Sequence, residues 1–342
     1  MQKNIPVITT DKLGELISNP DYLLFDINQP GQLLYAHIDE KTYLESAFLD
    51  ERISPRPTEL VIAKTRPMLD ALKANIAPDI IIAHTSFCCS TLLSRLLIQN
   101  DAFVLSEPRV FTQFSNQIRL SDDKRQAPQL KFADLIQLFN KKYLRYRSWG
   151  IKFSNFSNNL IIPFINTYPE SQLLLMWGDL ESFLVSMLKH SEEAKKILPI
   201  YHRAFSIDYA HVLNGVAVKD DLSMLEMAGL IWWLQINQFT ELVKQYDLRT
   251  LKGNNLLDNP NKVLLHLSKH IKINTENLGS ISVDAPIKKK TDLHGDALKM
   301  QRQSIAEKYK DDIIKVELWL NQHGMLTDTS ILEAASIIRG HE

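Results

Sequence analysis

Residues 79 to 97 read Asp79-Ile-Ile-Ile-Ala-His84-Thr-Ser-Phe87-Cys-Cys-Ser-Thr91-Leu-Leu-Ser-Arg-Leu-Leu97. The apolar run Ile80 to Ala83 meets a cluster of small and polar residues, Thr85 to Thr91. Leu92, Leu93, Leu96 and Leu97 then recur at helical spacing. This layout predicts a buried strand, a tight loop and a helix opening on Ser90-Thr91. Such a loop aims several backbone N–H groups at one point, beside the positive end of a helix dipole. The result is an anion site, most often for phosphate. A nucleotide-like ligand is the first expectation.

The pattern around this stretch is an alternation of strands and helices. Short apolar segments at 80–85, 103–106, 149–153, 171–177 and 248–252 read as strands covered on both faces. Helical spacing falls at about 91–100, 130–147, 180–190, 224–246 and 260–270. Alternation of this kind predicts an α/β fold built on a doubly wound, mainly parallel sheet, with ligands at the carboxyl ends of the strands. Before it, Tyr22 to Asp26 and Gln32 to Ile38 read as strands with Pro30-Gly31 between them. Helical stretches follow at Lys41 to Leu49 and Lys64 to Asn75, and Pro78 ends this part. After the sheet, 296 to 322 reads as one long amphipathic helix and 329 to 339 as a short closing one. The expected division is an N-terminal α+β cap at 1–78, a main domain at 79–280 and a C-terminal helical segment at 281–342.

The chain has 342 residues, of which 45% are hydrophobic and 23% charged, enough for a large core. A formal charge of −1 provides no general basic field of the kind a nucleic-acid protein carries. The only cysteines, Cys88 and Cys89, are adjacent. A vicinal pair bridges only with strain, and two cysteines make no zinc site, so they read as small apolar fillers of the loop. A thiol at a helix start has a depressed pKa, which leaves a reactive cysteine as the alternative. No run approaches the length of a membrane span, and the first residues lack the apolar core of a signal peptide. A cytoplasmic protein without a membrane partner is the expectation. Oligomeric state has no signature in the sequence.

A Walker A loop, Gly-x-x-x-x-Gly-Lys-Ser/Thr, does not fit. With Thr91 at its final position, Ser90 stands where the lysine belongs, and His84 and Cys89 replace the glycines. A different family fits better. Thr85-Ser86-Phe87-Cys88-Cys89-Ser90-Thr91-Leu92-Leu93 resembles the 5′-phosphosulfate loop of sulfotransferases, Arg/Lys-Ser-Gly-Thr/Ser-Thr-Leu/Trp-Leu. Val104-Leu105-Ser106-Glu107-Pro108 resembles the strand and Glu-Pro segment of the tyrosylprotein and bacterial sulfotransferase branch. Trp149-Gly150-Ile151-Lys152 resembles that branch's strand ending in lysine. Leu173 to Met187 resembles its strand, Arg-Asp-Pro and serine segment. Leu248 to Ile273, with Asn259-Pro260 before a helix, resembles its closing passage. The five segments occur in order over about residues 79 to 275. Three positions depart from the pattern: Phe87 replaces the basic residue of the loop, Cys89 its glycine, and Gly178 the arginine of the 3′-phosphate segment. Each lost charge pair is worth on the order of several kcal/mol before desolvation at an effective dielectric near 20. Arg109, Lys189, Arg203 and Lys288 to Lys290 are the candidate replacements.

The resemblance implies a fold and a site. The fold is a three-layer, P-loop NTPase-like, mainly parallel sheet with helices on both faces, plus the N-terminal cap. The donor is 3′-phosphoadenylyl sulfate, with no metal required, and the acceptor a small molecule or peptide bearing a hydroxyl or amine. Glu107 is the general base and Lys152 the cation that stabilises the moving group. Ser86, Phe87, Cys88, Cys89, Ser90 and Thr91 cradle the donor's 5′ end. Ser186 and Lys289 lie on its 3′-phosphate side. His84 is a second proton-transfer candidate, against the plainer reading of a buried hydrogen-bond partner. Likewise Glu107 has the plainer reading of a carboxylate paired with Arg109, and Lys152 that of a solvated strand-end lysine. Asp179 after its strand is a weak Walker B look-alike, and Trp232-Trp233 read as core. Two rival functions stand beside this one. They are a P-loop kinase or nucleotide hydrolase using ATP and magnesium, and a non-catalytic nucleotide-binding protein on a decayed transferase fold.

Overall fold

The structure is a computed structural model that describes residues 6–7, 9, 12–27, 29–57, 59–72, 76–121, 130–214, 221–276, 295–325 and 328–338, with backbone alone at 295–299. The basic run Lys288 to Lys290, and with it Lys289, lies outside the described residues.

Two sheets organise the chain. Strands β1 (Tyr22–Asp26), β2 (Gln32–His37) and β3 (Leu60–Lys64) form an antiparallel sheet in that order. The turn between β1 and β2 holds Gly31 at φ 71°, as the Pro-Gly pair predicts. The sequence reading passes over β3, whose five residues pair along their whole length with β2. Strands β4 (Ile80–His84), β5 (Ala102–Ser106), β6 (Ser148–Lys152), β7 (Gln172–Trp177) and β8 (Arg249–Lys252) form the five-stranded parallel sheet, in the order β5-β6-β4-β7-β8. β4, β5 and β6 are buried at every position, which is why β4 and β5 read as apolar runs rather than alternating ones. Gly150 is obligatory within β6: a Cβ there would stand 2.4 Å from the Ile80 carbonyl oxygen. The expected mixed α/β architecture, a parallel sheet flanked by helices, is the one observed.

The chain divides into two compact units, Met1–Ala83 with Thr91–Leu173 and Leu267–Leu278, and His84–Ser90 with Leu174–His266 and Gly279–Glu342. In the first, α1 (Ser90–Gln99) buries Leu92, Leu93, Leu96 and Leu97, the four leucines whose spacing marks it in the sequence. Helix α2 (Arg109–Arg119) follows β5 and buries Val110, Phe111 and Phe114. The helix expected over 130–147 is short, covering only Phe132–Gln137. Beyond it Phe139, Lys141 and Tyr146 are all buried, a spacing that a continued helix does not place on one face.

In the second unit, α3 (Leu180–Lys189) starts on Asp179, whose side chain accepts from the Ser182 N–H at 2.8 Å. The acidic look-alike is therefore a helix cap. Outside every helical stretch read from the sequence lies α4 (Ser191–Asp208), with Glu192 and Glu193 in its first turn. Helix α5 (Met224–Gln245) opens on a complete capping box between Ser223 and Glu226. It buries Trp232 and Trp233 as core residues. The single C-terminal helix expected over 296–322 is two, Gly295–Lys308 and α6 (Lys310–Gln322), separated at Tyr309 with φ −113° and ψ 20°. Among the described residues no helix is long and apolar enough to cross a membrane.

One buried charge in the first unit has a measurable consequence. Lys141 is 8% exposed, and its Nζ donates to the Leu16 carbonyl at 2.6 Å and lies 5.2 Å from the Tyr35 ring centre. Burial pushes this amine from 10.5 down to about 7. Between those values the unfolded chain holds a proton that the folded chain has released, so stability rises as pH climbs through that window. Below about 7 both states are protonated and this contribution is flat. Lys141→Met is expected to raise the unfolding free energy at pH 6 to 7 and to remove a rise on the order of a few kcal/mol between pH 7 and 10. Urea denaturation of both proteins across that range measures the difference.

Candidate functional site

Glu107 and Lys152 meet at the carboxyl ends of neighbouring strands. The register of β5 on β6 sets Ser106 opposite Lys152, so the residue after Ser106 turns off the sheet beside the lysine. The Lys152 Nζ lies 2.8 Å from Glu107 Oε1, with side-chain exposures of 0% and 9%. A second hydrogen bond runs from Nζ to the Thr91 hydroxyl at 3.2 Å, in the first turn of α1. The sequence offers Arg109 as a partner for Glu107. The structure instead pairs Arg109 with Asp26 at 3.2 Å and Glu51 at 2.9 Å. The solvated strand-end reading of Lys152 is likewise replaced by full burial.

Glu107 has a strained backbone, with φ 51°. A non-glycine residue in this region costs of order 1–3 kcal/mol and persists only where its surroundings fix it. Three backbone hydrogen bonds do so. The Glu107 N–H donates to the Lys152 carbonyl at 2.8 Å, the Leu49 N–H to the Ser106 carbonyl at 2.8 Å, and the Arg109 N–H to the Leu49 carbonyl at 3.0 Å. Pro108, at φ −59°, then starts α2.

The loop that runs from β4 towards α1 belongs to the second unit. Its Thr85 N–H donates to the Met176 carbonyl at 2.9 Å. The Thr85 carbonyl accepts from the Cys88 thiol at 2.9 Å and from His84 Nδ1 at 2.8 Å. His84 is 5% exposed and thus serves as the buried hydrogen-bond partner of its own loop. Phe87 and Cys89 take φ values of 60° and 64°. Left-handed residues spaced in this way curl the N–H groups to one side, the geometry of an anion-binding nest. Among the described residues, the N–H groups of Ser86, Phe87 and Cys88 have no backbone acceptor. Gly253, which follows β8, packs against this loop so closely that a Cβ would stand 2.6 Å from the Cys88 carbonyl oxygen.

Phe87 is 39% exposed, edge-on to Phe183 with ring centres 5.8 Å apart. Cys88 is buried and Cys89 half-buried, both as free thiols. Ser90 opens α1 and is buried. The Ser186 hydroxyl donates to the Ser182 carbonyl one turn earlier at 2.8 Å. Gly178, at the position of the family's arginine, would set a Cβ 3.8 Å from Cys88 Cα, and its carbonyl accepts from Trp232 Nε1 at 2.8 Å. Of the candidate replacement cations, Arg109 is committed to two carboxylates, and burial with help from Arg302 holds Lys189 below the usual lysine range. A cation that sequence reasoning missed is Lys252, at the end of β8. It lies 3.8 Å from Asp179, 3.5 Å from Glu333 and 5.1 Å from the Trp177 ring centre. Its position on a strand end beside Gly253 is the signal that would have found it. Among the described residues no group of three or more His, Cys, Asp or Glu side chains is arranged to hold a metal ion.

No family model and no curated protein sequence matches the chain. Among solved structures it is similar to a sulfotransferase from Alicyclobacillus acidocaldarius, at 14% identity and a TM-score of 0.36, over 72% of this chain and 96% of the other. It is also similar to the sulfotransferase domain from the curacin biosynthetic pathway, at 11% identity and a TM-score of 0.37, over 69% of this chain and 99% of the other. Likeness at this level decides nothing about the site.

Two sets of variants test the geometry. Lys152→Ala and Glu107→Ala each strand a buried charge and are expected to cost about 3–5 kcal/mol, whereas Lys152→Met with Glu107→Leu costs far less than their sum. Chemical denaturation of the singles and the double reads this directly. Cys89→Gly relieves a left-handed cysteine and is expected to leave stability unchanged or raise it by about 1 kcal/mol. Gly253→Ala meets a backbone carbonyl and is expected to lower stability by about 1–3 kcal/mol. Thermal denaturation of the two variants should move them in opposite directions.

Proposed function

We propose that this chain is a sulfotransferase-like enzyme that moves a sulfuryl group from 3′-phosphoadenylyl sulfate to a hydroxyl or amine acceptor. The observation that carries this reading is the buried Glu107–Lys152 pair, with Thr91 of α1 on the same ammonium. A carboxylate and an ammonium fixed together at the carboxyl ends of parallel strands supply the two charges that the transfer needs. Glu107 takes the proton from the acceptor's hydroxyl or amine. Lys152 stabilises negative charge on the oxygen that bridges sulfur and phosphorus in the donor. The bond from that oxygen to sulfur breaks as the acceptor's bond to sulfur forms, and 3′-phosphoadenosine 5′-phosphate leaves. Ser86, Phe87 and Cys88 contribute backbone N–H groups to the donor's 5′ end, and Ser90 and Thr91 their hydroxyls, so main-chain donors take over from the basic side chain that Phe87 replaces. Ser186 and Lys289 are assigned to the 3′-phosphate side. His84 acts by shaping the loop.

The complete burial of Lys152 favours a second reading, a nucleotide-binding module in which the ion pair is structural. Isothermal titration with 3′-phosphoadenosine 5′-phosphate separates the possibilities in combination with one variant. Micromolar binding, with Glu107→Gln binding normally but losing transfer by about 100-fold or more, supports the enzyme. Normal binding with no transfer by any variant or by the native chain supports the module. No binding at all ends both.

A further inference from the structure

The Lys152 side chain has no exposed surface, and among the described residues its ammonium meets two polar groups, the carboxylate of Glu107 and the hydroxyl of Thr91. The third side is aromatic. Phe48 sets its ring centre 5.4 Å from Lys152 Nζ. Phe48 is itself half-buried, so it faces both the ammonium and the solvent. It belongs to the irregular segment between the helix Glu40–Glu45 and β3, not to the parallel sheet.

That segment is fastened at the site itself. Leu49, the next residue, is 1% exposed and hydrogen-bonds through both its N–H and its carbonyl, to Ser106 and Arg109, the residues that flank the Glu107-Pro108 step. Two ion pairs brace the same stretch, Glu51 with Arg109 at 2.9 Å and Asp50 with Arg52. The Arg52 guanidinium stacks over Phe48 at 3.6 Å from the ring centre. Phe48 is thus held in contact with two cations, one buried and one exposed.

We infer that Phe48 is a positioning residue for Lys152 that keeps water from the ammonium and must yield before a reacting group touches it. The three N–H groups of an ammonium are matched here by a carboxylate, a hydroxyl and an aromatic face, which together fix its orientation. A dry Lys152–Glu107 pair interacts more strongly than a wet one. In the sulfuryl-transfer reading, on which this second consequence rests, it also suppresses transfer of the sulfuryl group to water.

Reductive methylation of lysine amines, followed residue by residue with peptide mass spectrometry, tests the first consequence without any donor. In the native chain Lys152 is expected to label far more slowly than Lys41, whose side chain is 77% exposed. Phe48→Ala is expected to speed labelling of Lys152 by about tenfold or more, while Phe48→Leu, which keeps bulk, changes it much less. Buried Lys141 reports on the fold and should stay slow in both. Should Phe48→Ala fail to fold, Arg52→Ala takes its place. It frees the ring from its outer cation and is expected to speed Lys152 labelling by about two- to fivefold. Unchanged Lys152 labelling in a variant that still protects Lys141 overturns the inference. A second measurement uses 3′-phosphoadenylyl sulfate without acceptor. There Phe48→Ala should release 3′-phosphoadenosine 5′-phosphate and inorganic sulfate faster than the native chain, the attacking water's proton passing to Glu107. If the donor binds and this leak is no faster, the water-excluding role is wrong. If no variant binds the donor, the sulfuryl-transfer reading fails and the labelling result alone decides the role of Phe48.

Discussion

A fully buried ammonium is the constraint around which the first unit is arranged. Removing a lysine's charge from water costs several kcal/mol even after local relaxation, and the cost is met only by a partner of opposite charge in good geometry. Lys152 ends an apolar strand, so that partner must come from a neighbouring strand end. Glu107 supplies it, at the price of a left-handed backbone. The strain in Glu107 in turn requires hydrogen bonds from both sides, and these come from Lys152 itself and from Leu49. Each feature follows from the one before it. The lysine requires the glutamate, the glutamate requires an unusual dihedral angle, and that angle requires the segment around Leu49.

The loop from His84 to Ser90 is built under a different constraint. Positive side chains are missing at the two positions where the sulfotransferase pattern has them, Phe87 and Gly178. What remains is a backbone bent into the left-handed region at Phe87 and Cys89, with N–H groups from 86 to 88 not drawn into secondary structure. Oriented main-chain dipoles, unlike charged side chains, need no desolvation of a full charge. Gly253 has no side chain because the Cys88 carbonyl occupies that space.

Much of the architecture could be read from the sequence, for physical reasons. β4, β5 and β7 are short, apolar and bounded by polar residues, and helix α1 announces itself by four leucines. Trp232 and Trp233 are core, as expected of large aromatics within the helix read at 224–246. Elements were missed where tertiary contacts overrule local pattern. The expected helix at 130–147 stops early because Phe139 and Lys141 both turn into the core. A stretch with an internal proline, over which no helical spacing is read, forms α4. At the site, Glu107 and Lys152 were legible individually as strand-end charges. Their partnership was not, since it depends on the register of β5 against β6, a long-range property. The left-handed conformations of Phe87 and Glu107 carry no sequence signal, because glycine, the residue that normally marks them, is absent there, and at Cys89 the signal is only that the resembled loop has glycine.

The Leu49 clamp bears on how this chain can be divided. The first seventy-odd residues look detachable: they have their own antiparallel sheet and end on Pro78. Trimming them to obtain the parallel sheet alone would leave the Ser106 carbonyl and the Arg109 N–H without their partners and open Lys152 on the side that Phe48 covers. The part that resembles an appendage thus covers the Glu107–Lys152 pair, and a shortened protein would be a different molecule around that buried charge.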